Sequence, residues 1–246
     1  EQLNERNSII LENIALDIDS QLKEINESVI VVALDKKVQD IAEDLEISSL
    51  GANRTRIYEF VNELKYISAL GHRNDDNSFM IYYGHIDQIM KVGTSHTLRG
   101  FYDAYLYADG MEFSTWEKLI KGKYENGIFY KTNFFGIKDE ILYIKSIDCI
   151  SDREKTINII YKIDKDSMAK NVKHLYRNEY GIFAVRNEIG ETILEIGPQI
   201  DKFRSYTDID ELKKDKGVCV FEKVSEDKEA YAKAAAVEYY EQDAIR

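Results

Sequence analysis

The chain has 246 residues, 44% hydrophobic and 32% charged, the balance of an ordinary globular protein and not of a disordered or fibrous one. Its 33 basic side chains stand against 45 acidic ones, a formal net charge of -12, which disfavours nucleic acid and anionic lipid as partners of this segment. Cys149 and Cys219 are too few for a disulfide scaffold and read as small buried apolar side chains. No apolar run approaches the roughly 20 residues that cross a bilayer, and no signal-peptide pattern is present.

The first predicted element is a long helix. Leu11, Ile14, Ile18, Leu22, Ile25, Val29 and Val32 recur at spacings of three and four with polar residues between them, a stripe close to a heptad. The run Val29-Ile30-Val31-Val32-Ala33-Leu34 is apolar all round and predicts burial on more than one side. A second helix is expected through Ile57, Phe60, Leu64 and Ile67, capped by Asn53 or Thr55 and stopped at Gly71. The pattern then changes. FMIYY from Phe79 and QIMKVG from Gln88 are short, β-branched and aromatic runs that read as paired strands, and Gly93-Thr94-Ser95 reads as a turn.

Ser114-Thr115-Trp116-Glu117 fits the S-x-x-E capping box, with a short helix after it that ends near Gly122. Strands are expected at IFYKTNF from Ile128, EILYIKSI from Glu140 and TINIIYKI from Thr156. The polar loop 148–155 joins the last two as antiparallel neighbours. Asp166 caps a further helix with the stripe Met168, Val172 and Leu175. A second strand cluster follows: GIFAVRN and ETILEIG around Asn187-Glu188-Ile189-Gly190, a short helix at 208–214, then GVCVFEKVS and AYAKAAAV, with an exit helix from Glu238. The only proline, Pro198, falls after the hairpin, where a missing donor does little harm. Strands grouped after helices, twice over, predict an α+β protein with two antiparallel sheets. The expected organisation is a long N-terminal helix over 1–49, a larger lobe over 50–165, a crossing helix over 166–177, a smaller lobe over 178–237 and the exit helix over 238–246. The chain begins at Glu1 in a helix-like sequence and ends at Arg246 with no stop signal, so both ends read as cut from a longer protein.

This order of elements resembles the double Cache module, the extracytoplasmic ligand-binding sensor of bacterial receptors. The pieces that carry the resemblance are the apolar helix leading to N-S-F-M-I-Y-Y, then Ile89-Met90-Lys91-Val92-Gly93, Phe101-Tyr102 with Trp116 downstream, and I-L-Y-I-K-S before I-I-Y-K-I-D. The pattern is especially similar to sensors whose cytoplasmic side carries an AraC-type regulator or a histidine kinase. The resemblance implies two stacked PAS-like lobes held outside the cell by flanking transmembrane helices, with the ligand in the membrane-distal lobe and the membrane-proximal lobe relaying its binding. It also implies a small polar ligand, amino-acid-like where an R-x-W-Y motif and a later aspartate are present. Arg99-Gly100-Phe101-Tyr102 has that form with phenylalanine in place of tryptophan, and Asp164 takes the strand-end position. A guanidinium there would pair with a carboxylate, an aspartate with an ammonium, and aromatic walls would exclude water. On the residues alone, Arg99 also reads as a surface residue, Tyr102 as a core aromatic and Asp164 as a cap or turn residue.

The aromatic supply suits either a pocket or a core. Tyr82, Tyr83, Tyr102, Tyr105 and Tyr107 fall close together, and Tyr102, Tyr105 and Trp116 are the pocket candidates. The four histidines, His72, His85, His96 and His174, show no ligand spacing, and His85-x-Asp87 reads as a solvated loop. No zinc-protease, nucleophile-elbow or P-loop motif is present, so no enzyme, cofactor or metal is expected. The expectation is a small-molecule sensor, and the alternative is a protein-interaction or dimerisation module in which the long helix pairs with a second copy.

Overall fold

The computed structural model describes residues 2–70, 79–106, 112–125, 127–132, 140–163, 181–186, 192–196, 218–224 and 233–239. They divide between two compact units: Glu24–Ile163, and a second made of Glu1–Lys23 with Asp164–Arg246. Helix α1 (Gln2–Leu34) opens the chain. Its stripe is buried as the spacing predicts, with Ile14, Ile18, Leu22, Ile25, Val29 and Val32 all at 6% exposure or less. The run 29–34 is not buried all round, however. Val31 and Leu34 are exposed, because the spacing of three and four from Ile25 to Val32 carries only one side of the helix inward.

The helix expected over 1–49 is three pieces. Asp35 leaves the helical conformation, and its Oδ1 accepts from Lys37 N at 2.9 Å, so it ends α1 and caps α2 (Lys36–Asp44). A 3₁₀ turn at Ile47–Ser49 follows, then α3 (Arg54–Leu70). Ile57 N bonds to the Asn53 carbonyl, which places Asn53 at the start of α3, while its side-chain amide turns back to Ser49 O.

In the Glu24–Ile163 unit the strands are β1 (Phe79–Tyr83), β2 (Gln88–Lys91), β3 (Thr94–Thr97), β4 (Ile128–Thr132), β5 (Glu140–Asp148) and β6 (Thr156–Ile163). They form one antiparallel sheet in the order β3-β2-β1-β6-β5-β4. Every residue of β1 is buried, which is why FMIYY is a continuous apolar run and not an alternating one. Two helices absent from that list complete the unit, α4 (Leu98–Tyr105) and α5 (Phe113–Lys121). Met80 and Tyr82 of β1 pack with Ile89, Phe101, Trp116 and Ile160 in the core under α4 and α5. Tyr83, one residue out of phase, reaches the opposite side, where its hydroxyl donates to Val38 O and its ring meets Phe60 edge-on.

A buried polar network ties α5 to the centre of the sheet. Asn158 Nδ2 donates to the carbonyls of Ile120 and Gly122, Ser146 Oγ donates to Asn158 Oδ1, and Tyr124 N donates to Ser146 Oγ. Carbonyls orphaned at a helix end are thereby satisfied inside the protein.

Three local expectations are corrected. Thr94 and Ser95 belong to strand β3, and the turn before it is made by Val92 and Gly93, the latter at φ 76. The capping box does not form: α5 starts at Phe113, Glu112 is its N-cap residue, and Glu117 pairs with Lys121 instead. Glu238 and Tyr239 lie in a strand and not in an exit helix. In the other unit β7 (Gly181–Arg186), β8 (Thr192–Ile196), β9 (Val218–Val224) and β10 (Lys233–Tyr239) form an antiparallel sheet of order β8-β7-β10-β9. Ile160 thus belongs to one sheet, and Phe183 and Val220 to another. The helices expected at 166–177 and 208–214, Pro198, and the chain beyond Tyr239 lie outside the described residues.

Candidate functional site

Helix α4 begins where Thr97 Oγ1 accepts from Gly100 N at 3.0 Å. That cap sets the phase of the next two turns. Phe101 and Tyr102 point into the core at 0% and 5% exposure, and Arg99 and Asp103 point out. Trp116 of α5 is fully buried and lies nearly parallel to Phe101, with ring centroids 5.7 Å apart. Tyr105 sits against the same ring at 4.8 Å, and Phe113 meets Tyr102 edge-on at 5.3 Å.

Cations and a histidine rim this aromatic cluster. The Arg99 guanidinium lies 4.6 Å from the Phe113 centroid and 5.4 Å from that of Tyr102, while its Nε donates to both carboxylate oxygens of Asp103. Lys91 Nζ stands 4.1 Å above Tyr105, a cation held by the face of the ring. His96, one strand over, packs edge-on to Tyr105 and Phe101. Burial and then the Lys91 charge hold its imidazole below the usual histidine range. Tyr82 Oη donates to Asp87 Oδ1 at 3.2 Å, and burial, followed by that carboxylate, pushes the phenol well up.

Of the five residues expected to bind ligand, Tyr102 and Trp116 share one core, Tyr105 packs against it, and Arg99 spans its rim. Asp164 and Tyr107 lie outside the described residues. The arrangement offers aromatic faces for an apolar or cationic group and an exposed guanidinium for a carboxylate. Lys91, His96, Phe101 and Phe113 were not singled out as site residues. The pairing of Ile89 with His96 puts that histidine on the face of Lys91, a signal that needs the register of a strand read as a turn.

The pair His85 and Asp87 does not act together. Asp87 accepts from Tyr82, while the His85 ring packs edge-on to Tyr83 with both nitrogens buried. Burial, and next the Lys155 charge, lower its proton affinity. Among the described residues no group of three or more His, Cys, Asp or Glu could hold a metal, and no helix is long and apolar enough to cross a membrane.

Solved structures share this α+β arrangement and match the chain over nearly its full length. The extracellular domain of rpHK1S-Z16, assigned as a histidine kinase, superposes with a TM-score of 0.50 at 8% identity, covering 97% of this chain and 96% of that one. The sensory domain of the Campylobacter jejuni chemoreceptor Tlp3 with isoleucine bound gives 0.42 at 12% identity, and its ligand-binding domain in complex with L-valine gives 0.44 at 12%. Each of these covers 96% of this chain and 95% of its own. No family model matches the chain. No curated protein matches it. The first of these likenesses establishes the fold.

Proposed function

We propose that the chain is the extracellular ligand-binding domain of a transmembrane signalling protein, with an AraC-type regulator or a histidine kinase as its output. The observation that supports this most is the end-to-end fold likeness to an extracellular domain assigned to a histidine kinase. The lobe expected over 50–165 is membrane-distal and takes a small polar molecule at Arg99, Tyr102, Tyr105 and Trp116, with Asp164, which lies outside the described residues, as the proposed partner of an ammonium. The ligand's carboxylate replaces Asp103 on the Arg99 guanidinium. Exchanging a solvent-exposed intramolecular partner for a ligand costs little, because exposed ion pairs are worth under about 1 kcal/mol. Tyr105 and the face shared with Lys91 then enclose the ligand body.

A metabolite screen by thermal shift tests the reading, since a ligand of the native state raises stability by mass action. A hit should lose at least tenfold in affinity with Arg99→Gln, and amine-bearing hits should be lost with Asp164→Ala. A screen without a saturable shift, or hits indifferent to both substitutions, would refute the site.

A second reading, a dimerisation module, is favoured by one observation. Ile9, Leu16, Val31 and Leu34 are exposed on α1 and fall on one side of it, whereas the heptad-like stripe is buried within the chain. Pairing would use this outer side and not the stripe. Cysteine crosslinking at Leu16 and Val31 in the full-length, membrane-embedded protein reads it out, and an absent crosslink removes the dimer.

A further inference from the structure

The β2–β3 hairpin has a second face. Residues directly opposite in the pairing share a side, so Ile89 and His96 face the aromatic cluster, while Met90 and Ser95 face α3. Between α3 and that face runs a groove of about 460 Å³, within the usual range for small-molecule sites. Its wall is fixed at one end by a backbone bond, Gly93 N to the carbonyl of Val61 at 2.9 Å, which ties the hairpin turn to α3.

The lining is chemically one-sided. Among the described residues Arg54 is its only charged lining residue and no carboxylate lines it, in a chain whose acids outnumber its bases by 45 to 33. Arg54 makes no ion pair among the described residues. Across the groove Ser95 Oγ donates to Gln88 Oε1 at 2.9 Å, which occupies the amide oxygen and leaves the Nε2 hydrogens as donors. The polar offer of the described lining is a guanidinium, an amide and the hydroxyls of Tyr58, Thr94 and Ser95, with no carboxylate to pair with an ammonium. Ile57 and Val61 supply an apolar side, and Tyr58, 66% exposed, stands at the mouth. At both Gly51 and Gly93 the space a Cβ would enter is open.

We propose that this groove is a second binding site, separate from the aromatic cluster, for a small organic monocarboxylate with an apolar body. Its carboxylate pairs with Arg54 and Gln88 Nε2, and its aliphatic or aromatic body lies on Ile57 and Val61 beside Tyr58. With no carboxylate among the described lining residues, the groove favours the plain acid over the corresponding amino acid, whose ammonium would meet Arg54 and no opposite charge.

The probes are phenylacetate and 4-methylpentanoate, with phenylalanine and leucine as their aminated counterparts, titrated into the 246-residue chain by NMR and calorimetry. Saturable binding of the plain acids is expected, at least tenfold tighter than that of the amino acids. Arg54→Gln should weaken it at least tenfold, Gly51→Trp should abolish it by filling the groove, and Arg99→Gln should leave it unchanged. Arg54 is exposed and without an ion pair among the described residues, so its variant folds whatever Gly51→Trp does. No saturation by either acid below about 10 mM, equal affinity for acid and amino acid, or binding that survives Arg54→Gln would overturn the proposal. Loss on Arg99→Gln with Arg54→Gln silent would instead assign the acids to the aromatic cluster.

Discussion

The two faces of the β2–β3 hairpin make opposite use of the same short strands. On one face Ile89, Lys91 and His96 meet Phe101 and Tyr105, and the space behind them is filled by Trp116 at 0% exposure. On the other, Gln88 and Ser95 bond to each other across a groove that Ile57 and Val61 only partly close. The first face is a core with a charged rim; its residues are held by packing and cannot be altered cheaply. The second is more open, with Gln88 and Ser95 half-buried and Tyr58 exposed, although Val61 on its floor is buried. For the two proposed ligand sites the difference matters, because a ligand alters an equilibrium only through groups whose contacts differ between states.

The largest test of that contrast is Trp116→Ala. Removing a fully buried indole stacked on Phe101 should cost about 3–5 kcal/mol, read as a shift of the urea midpoint. Tyr58→Ala on the groove side should move it by less than about 0.5 kcal/mol. Equal effects would mean that the two faces are not different in kind.

Asn158→Ala comes next. It strands the carbonyls of Ile120 and Gly122 and the hydroxyl of Ser146, at a cost of about 2–3 kcal/mol in the same assay. Part of the loss should appear as faster amide exchange in α5, whose C-terminal end this side chain holds.

Gly93→Ala probes the turn between the faces. At φ 76 an alanine is strained whatever the space around it, and the expected cost is about 1–2 kcal/mol. Gly51→Ala, where the added Cβ meets only open space, should be nearly silent.

A pH titration gives a smaller effect. His85 and His96 both bind a proton less readily folded than unfolded, chiefly because they are buried. The unfolded chain then takes up protons first as pH falls through about 6.5, so stability is full above that value and declines from there toward each lowered folded pKa. His96→Gln should flatten part of the decline, and a slope identical to that of the parent would show that His96 is not part of it. Smallest of all, Arg99→Gln should change stability by under about 0.5 kcal/mol, since its ion pair with Asp103 is more than half exposed on both sides.

Which elements were legible follows the same division. FMIYY, EILYIKSI and TINIIYKI announced strands because each carries a run of buried apolar residues: all five of FMIYY, Ile141 to Ile144, and Ile159 to Tyr161. TSHT did not, since β3 is an edge strand with half its surroundings solvent, and composition there is free to be polar. The capping box at Ser114 was a correct motif without its structure. Glu112 takes the N-cap position and Glu117 is drawn to Lys121 one turn on, a choice between near-equal local bonds that sequence spacing cannot rank. Arg99 was legible as a surface residue and Tyr102 as a core aromatic, but the helix and its Thr97 cap that place them so were not. The groove was not legible at all. Arg54 and Gln88 are 34 positions apart, and nothing local to either marks the other.

The sequence by itself determined the α+β class, the buried stripe of the first helix, the central strands and the absence of catalytic motifs, since burial and period are written into each segment separately. It could not determine where the helix stops at Asp35, that His96 faces Lys91, or that α3 stands off the hairpin far enough to leave a groove. Those depend on register and on the distance between packed elements. Both are set by side chains far apart in the chain, and a contact between distant segments leaves no periodic trace in either one.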